Sequence, residues 1–195
     1  MRKILLLTLL LATLDATDLS QYINKQNCSQ IIDKQVFTIC YDYEAKGAKY
    51  VSYTLDGTKV NSINIKKRSK FYTEKNLPNQ YRSHNKDYTH SGYDRGHLAN
   101  DASFDYDKKV VAKTYTMANI IPQVPNVNRK TWIKAEELER KVAVGLGMVN
   151  VLNGVVYSSN PPRIGKNKIA VPDGFWKMIY NDKENYKKCF YYEND

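Results

Sequence analysis

Tyr93-Asp94-Arg95-Gly96-His97-Leu98-Ala99-Asn100 sets an arginine and a histidine on either side of a glycine. An imidazole takes a proton from water near neutral pH. A guanidinium holds a phosphate oxygen through two parallel hydrogen bonds. Gly96 lets the backbone turn or approach a ligand closely. The set suits phosphodiester cleavage. A surface turn with one solvated histidine is the simpler reading of the four residues alone. Ser91 to Leu98 reads as a short extended stretch, with Asp94 expected to fix the turn or to pair with Arg95.

The next segment adds chemistry of the same kind. It runs Met117-Ala118-Asn119-Ile120-Ile121-Pro122-Gln123, then Asn126-Val127-Asn128-Arg129-Lys130-Thr131-Trp132, then Glu136 and Arg140. Asn128 is expected to begin a helix as its N-cap. Asn128, Trp132, Glu136 and Arg140 then stand at four-residue steps and share a face. A core face would carry apolar residues there. This one carries an amide, an indole, a carboxylate and a guanidinium, which suits a wet catalytic face. Trp132 reads as packing. The plainer alternative is an exposed stripe with a Glu136–Arg140 ion pair.

Asp-Arg-Gly-His, then Asn-Ile-x-Pro-Gln, then Asn-x-x-x-Trp-x-x-x-Glu-x-x-x-Arg resembles the DNA/RNA non-specific endonucleases. The matching motifs run from Tyr93 to Arg140. The resemblance implies α/β/α layering with a ββα-metal finger as the active site. It implies His97 as general base. It implies Asn128 as the single direct protein ligand of a divalent cation, Mg²⁺ first, with Mn²⁺ or another divalent ion as alternatives. Arg95, Arg140 and Arg68 would hold phosphate oxygens. Glu136 would position water at the cation, or Arg140. Asn119 would orient His97 or the backbone near it. The products would carry 5′-phosphate ends. The substrate implied is DNA, with RNA as the alternative, bound through phosphates; the sequence does not say which sugar is preferred.

Upstream, residues 35–43 (QVFTICYDY), 49–55 (KYVSYTL) and 60–65 (VNSINI) alternate apolar and polar residues, which predicts an antiparallel meander with a turn at Asp56-Gly57. Residues 17–30 read as irregular. Lys66, Lys67, Arg68 and Lys70 stand beside Phe71 and Tyr72, and Arg68 is the candidate phosphate-binding arginine there. Residues 77–90 read as loop. His84, His90 and His97 are spaced six and seven apart, which fits neither a helical nor a hairpin zinc pair.

Downstream, residues 104–113 have helical spacing, and 114–121 run extended into Pro122. Gly145 and Gly147 end the long helix. Residues 148–158 read as two short strands around Asn153-Gly154, or as one strand with a bulge. Strands follow at 168–171, 174–180 and 187–192. The whole is one α+β domain with a mostly antiparallel central sheet flanked by helices.

The 195 residues carry 30 Lys plus Arg against 20 Asp plus Glu, a net charge of +10, which concentrates polyanions at the surface. The 16 Tyr suit strands and also offer base-stacking surfaces. Met1-Arg2-Lys3, the apolar run Ile4–Leu14 and the small residue Ala16 read as a signal peptide over 1–16. The nuclease domain then spans 17–195. It is expected outside the cytoplasm, in the periplasm or secreted, with no membrane attachment after cleavage. In that compartment one disulfide is expected among Cys28, Cys40 and Cys189. No base-reading module is present in the sequence, so cleavage is expected to be sequence-non-specific. Two other readings stand: a non-catalytic protein that binds or takes up extracellular DNA, and a phosphodiesterase acting on small nucleotides.

Overall fold

The structure, a computed structural model, describes residues 21–195. In chain order its elements are β1 (Gln30–Asp33), β2 (Thr38–Asp42), β3 (Gly47–Asp56), β4 (Asp94–His97), α1 (Lys108–Thr114), β5 (Ile120–Gln123), α2 (Ile133–Leu146), β6 (Met148–Val156), β7 (Arg163–Ile164), β8 (Ile169–Ala170), β9 (Gly174–Asn181) and β10 (Tyr186–Glu193). A six-stranded antiparallel sheet runs β1-β2-β3-β6-β9-β10. Residues of period two divide its faces. Val51, Tyr53 and Leu55 of β3, Val149, Val151 and Val155 of β6, and Phe175 and Ile179 of β9 belong to the main core. Helix α2 packs on that face and adds Ala143, with Trp132 from the turn before it. The other face carries Leu152, Met178 and Tyr180, partly covered by Tyr22, Ile23, Tyr50 and Trp176. Fully burying each large apolar side chain is worth about 1.5–3 kcal/mol, so these two layers dominate the fold.

Strands β4 and β5 form a separate antiparallel pair, with Gly96 opposite Ile121 and His97 opposite Ile120. A helical segment follows directly. The expected ββα unit is therefore in place, laid against the large sheet.

Several expectations shift. The meander is β1-β2-β3, one element earlier than expected, so its first strand begins where the sequence read as irregular. Residues 60–65 form no strand. Their alternation buries only Val60, whereas β6 next to β3 buries most of its length. The β6 strand runs unbroken through Asn153-Gly154, so that pair is not a hairpin turn. Gly154 serves packing instead: a Cβ there would lie 2.1 Å from the Trp176 ring. Helix α1 starts four residues later than the spacing suggested, where Asp107 caps the amides of Lys109 and Val110. Two short 3₁₀ turns, Asn79–Tyr81 and Asn85–Tyr88, lie within the expected loop. Cys28 and Cys40 form the disulfide and tie β2 to the segment before β1, while Cys189 is free and exposed on β10. The proposed signal peptide lies outside the described residues.

Candidate active site

His97 ends β4. Its carbonyl accepts a hydrogen bond from the Trp132 indole at 3.2 Å. At the other end of β4, the Asp94 carboxylate accepts from the Asn128 amide at 3.0 Å. The strand is thus fastened to the helical segment at both ends. The Asn128 donor is spent on Asp94, which turns the amide oxygen into the end available to a cation. Asp94 also accepts both forks of Arg129 at 2.7 Å. Arg129 is the chief reason why the Asp94 carboxyl stays below its usual range. Asp94 therefore pairs with Arg129 and Asn128, not with Arg95.

Asn128 is not an N-cap. Asn126 already has helical angles (φ −64°, ψ −42°), and Asn128 lies in a wide π-helical turn over Val127–Trp132 that leads into α2. Such turns often mark functional sites. Trp132 is sealed in the core, whereas Asn128, Glu136 and Arg140 are half-buried. The stripe is thus a packed indole flanked by polar groups.

The His97 ring packs against Phe71 (5.6 Å) and Tyr115 (5.0 Å), which also touch each other (5.0 Å). The ring is only partly covered, yet Nε2 itself is buried and has no hydrogen-bond partner among the described residues. Burial lowers the imidazole pKa, Asp101 opposes it, Arg68 adds to it, and the result is about 4. A neutral imidazole that is partly open to solvent can take a proton from an incoming water. Asn119 does not touch the ring. Its side chain holds Ala99 N and O and Thr114 O, each at 2.9 Å, and its carbonyl holds Leu98 N. It fixes the backbone that leaves His97.

The arginines divide. Arg68 sits beside Asp101 (3.4 Å) and Asp105 (3.0 Å), and Asp101 also accepts the Tyr115 hydroxyl. Arg140 Nη1 donates to Asn100 Oδ1 at 3.1 Å. Arg95 turns to the side chain and carbonyl of Asn85 and lies over the Phe71 and Tyr88 rings at 5.9 and 5.5 Å. Glu136 is pushed up to about 8, by burial first, with Glu139 and Asp101 adding to it and Lys177 and Arg140 opposing. His84 bonds Thr73 rather than another histidine. Among the described residues no group of three His, Cys, Asp or Glu side chains could hold a metal. A hard amide oxygen such as that of Asn128 instead suits Mg²⁺, which keeps most of its waters.

Sequence reasoning missed Asn100, Asp101, Glu139 and Lys177. Asn100 and Asp101 directly follow the His97 motif. Lys177 had a visible signal, a lone cation at an inward position between Phe175 and Ile179. Nothing in the run Glu136-Glu137-Leu138-Glu139 marked Glu139 as the buried one.

The chain is similar to known proteins over most of its length. A family model described as DNA/RNA non-specific endonuclease matches residues 15–195. Mitochondrial Endonuclease G of Homo sapiens is 28% identical over 161 residues, covering 77% of this chain and 54% of that protein. A nuclease of Nostoc sp. is 29% identical over 147 residues, covering 75% and 52%. The chain spans about half the length of these curated relatives. A chain in the solved structure of the EndoG/EndoGI complex has the same fold. Its TM-score is 0.77 at 24% identity, covering 93% of this chain and 82% of that one.

Proposed function

The chain belongs to the DNA/RNA non-specific endonuclease family, and from that premise we propose that it is an exported, divalent-metal-dependent endonuclease. It hydrolyses phosphodiester bonds of DNA, and of RNA, without regard to sequence and leaves 5′-phosphate ends. The observation that carries this reading is the β4 strand. It fastens a partly exposed, neutral imidazole and the Asn128 amide into one unit.

Each residue has a part. His97 takes the proton of the attacking water through the solvent-facing side of its ring as the phosphorus–oxygen bond forms. Asn128 would hold the divalent cation through its amide oxygen, with Asp94 keeping that oxygen turned outward. When bound, the cation supplies positive charge to the scissile phosphate and the leaving 3′ oxygen. Arg68 and Arg140 receive phosphate oxygens as charge develops. Arg68 is held by Asp105 at 3.0 Å and more loosely by Asp101 at 3.4 Å, and charge that builds on the phosphate would compete for it. Arg95 stands on the strand face it shares with His97 and supports the same surface through Phe71. Glu136 positions Arg140 or water at the cation. Exposed Lys66, Lys67, Lys70, Arg129, Lys130 and Lys134 would supply a cationic rim. Such a rim binds backbone phosphate and reads no bases.

Export to the periplasm or medium is supported by the Met1–Ala16 pattern and agrees with the Cys28–Cys40 disulfide. The test is plasmid cleavage by the mature protein and by His97→Ala, with Mg²⁺ and with EDTA. Metal-dependent degradation that His97→Ala abolishes is the expected result. A wild type that shifts DNA on a gel but never cuts it would return the chain to the class of DNA-binding proteins.

A further inference from the structure

Strand β9 places Lys177 on its inward face, between Phe175 and Ile179, fully buried. The ammonium meets the equally buried Glu139 of α2 at 2.5 Å. The Glu139 carboxylate also accepts the Tyr53 hydroxyl at 2.9 Å, the Ser103 hydroxyl at 2.8 Å and the Asn100 amide. Moving two charges out of water is expensive, and well-packed apolar residues in their place are often neutral or better for stability. Stability alone is a poor reason for this pair. Its polar contacts also do not end in the core. Asn100 Oδ1 accepts from Arg140 Nη1, so the chain of contacts runs Lys177–Glu139–Asn100–Arg140 and arrives at the candidate phosphate clamp. A second arm runs from Lys177 Nζ, 4.8 Å from the Trp132 ring centre, to the indole N–H that holds the His97 carbonyl.

We propose that the buried Lys177–Glu139 pair is a positioning device, which through Asn100 fixes the Arg140 guanidinium where the scissile phosphate must lie. The inference rests on the nuclease reading above. An arginine side chain is long and loses much rotamer freedom when it engages a ligand. Orienting it in advance removes that cost from the reaction. Because the phosphate gains charge in the transition state, loss of the device falls on kcat more than on KM.

Lys177→Met alone leaves a buried carboxylate unpaired and is expected to fold poorly. The pair Lys177→Met/Glu139→Leu removes both charges and the acceptor that holds Asn100, so it is the working variant. It is expected to fold, with a melting temperature below that of wild type because the Tyr53 and Ser103 hydroxyls lose their acceptor. Its kcat on plasmid DNA should fall about 10- to 100-fold, the range for a small misplacement set up away from the chemistry, with KM little changed. Asn100→Ala should show the same split. In an Arg140→Ala background the paired substitution should add almost nothing, because the group it positions is gone. Arginine side-chain ¹⁵N NMR reads the geometry directly: the Arg140 guanidinium signal should be ordered in wild type and averaged in the variant. A folded variant with wild-type kcat and an ordered Arg140 signal overturns the proposal. So does a kcat defect that simply multiplies with Arg140→Ala, since that describes general structural damage. A wild type that cuts no nucleic acid defeats the nuclease reading, and the NMR signal then decides the positioning by itself.

Discussion

Asp94→Ala is the perturbation with the sharpest consequence for the metal site. Asp94 makes one hydrogen bond to Asn128 at 3.0 Å and two to Arg129 at 2.7 Å. The Arg129 side chain is 67% exposed, so that pair is screened and worth no more than about 1 kcal/mol. The bond to Asn128 is charge-assisted and half-buried, of a kind worth about 1.5–3 kcal/mol. Removing Asp94 frees the amide to rotate, and its oxygen no longer points outward by default. Loss of such an outer partner typically weakens metal binding about 10- to 100-fold. Plasmid cleavage titrated with Mg²⁺ should show the half-saturating concentration rising by that factor in Asp94→Ala. At saturating Mg²⁺ most of the rate should return. Arg129→Ala keeps the Asn128 bond and serves as the control, with little change in Mg²⁺ requirement. If Asp94→Ala needs no more Mg²⁺ than wild type, Asp94 does not hold a metal ligand, and the assignment of Asn128 falls with it.

Four further outcomes follow from the same geometry. Activity against pH should hold well below the usual histidine value of 6.5 and fail toward about 4, because the low folded pKa keeps His97 neutral; loss of activity near 6.5 would contradict the burial of Nε2. Glu136 has a folded pKa raised to about 8 from 4.5, so its stabilising effect is present below 4.5 and is lost as pH rises toward 8. Glu136→Gln in EDTA should thus melt several degrees above wild type near pH 8 and lose that advantage near pH 4.5, and equal melting at both values would refute the shift. Gly96→Ala puts a Cβ 2.1 Å from the buried Gln123 side chain and should cost about 1–3 kcal/mol, partly recovered in Gly96→Ala/Gln123→Ala; calorimetry of both variants checks it. Reducing Cys28–Cys40, which closes a loop of sequence separation 12, should lower stability by about 3 kcal/mol in the loop-entropy account; urea melts with and without reductant measure it.

The candidate site was legible because its chemistry is local. His97, Asn119, Asn128, Glu136 and Arg140 lie within one short stretch, and a single ββα unit gathers them. Helical spacing brings Glu136 and Arg140 together, and residue type names the acceptor, the hard oxygen donor and the phosphate clamps. The same stretch hid its supports. Asp94 looked like a partner for its neighbour Arg95, but strand geometry sends adjacent side chains to opposite faces, and the helix supplied Asn128 and Arg129 instead. Arg68 was visible as a cation, while its two carboxylate partners came from a turn after the motif.

By itself, then, the amino-acid order determined what depends on near neighbours: the alternating strands at 35–43 and 49–55, the net positive charge and the candidate reactive residues, while of the two glycines expected to end the helix only Gly147 does so and Gly145 lies inside α2. Only the tertiary structure decided what depends on which strand lies beside which. Asn153-Gly154 has the local chemistry of a turn, yet it is a straight strand interior because β3 and β9 pair on either side of it. Cys40 could reach either of two cysteines on paper, and the segment that leads into β1 brought Cys28 to it, although the β1–β2 register sets Ile31 opposite Cys40. Lys177 and Glu139 are thirty-eight residues apart and carry charges that belong in water. They meet in the core because β9 faces α2 at that level, and no local rule of spacing or propensity contains that fact.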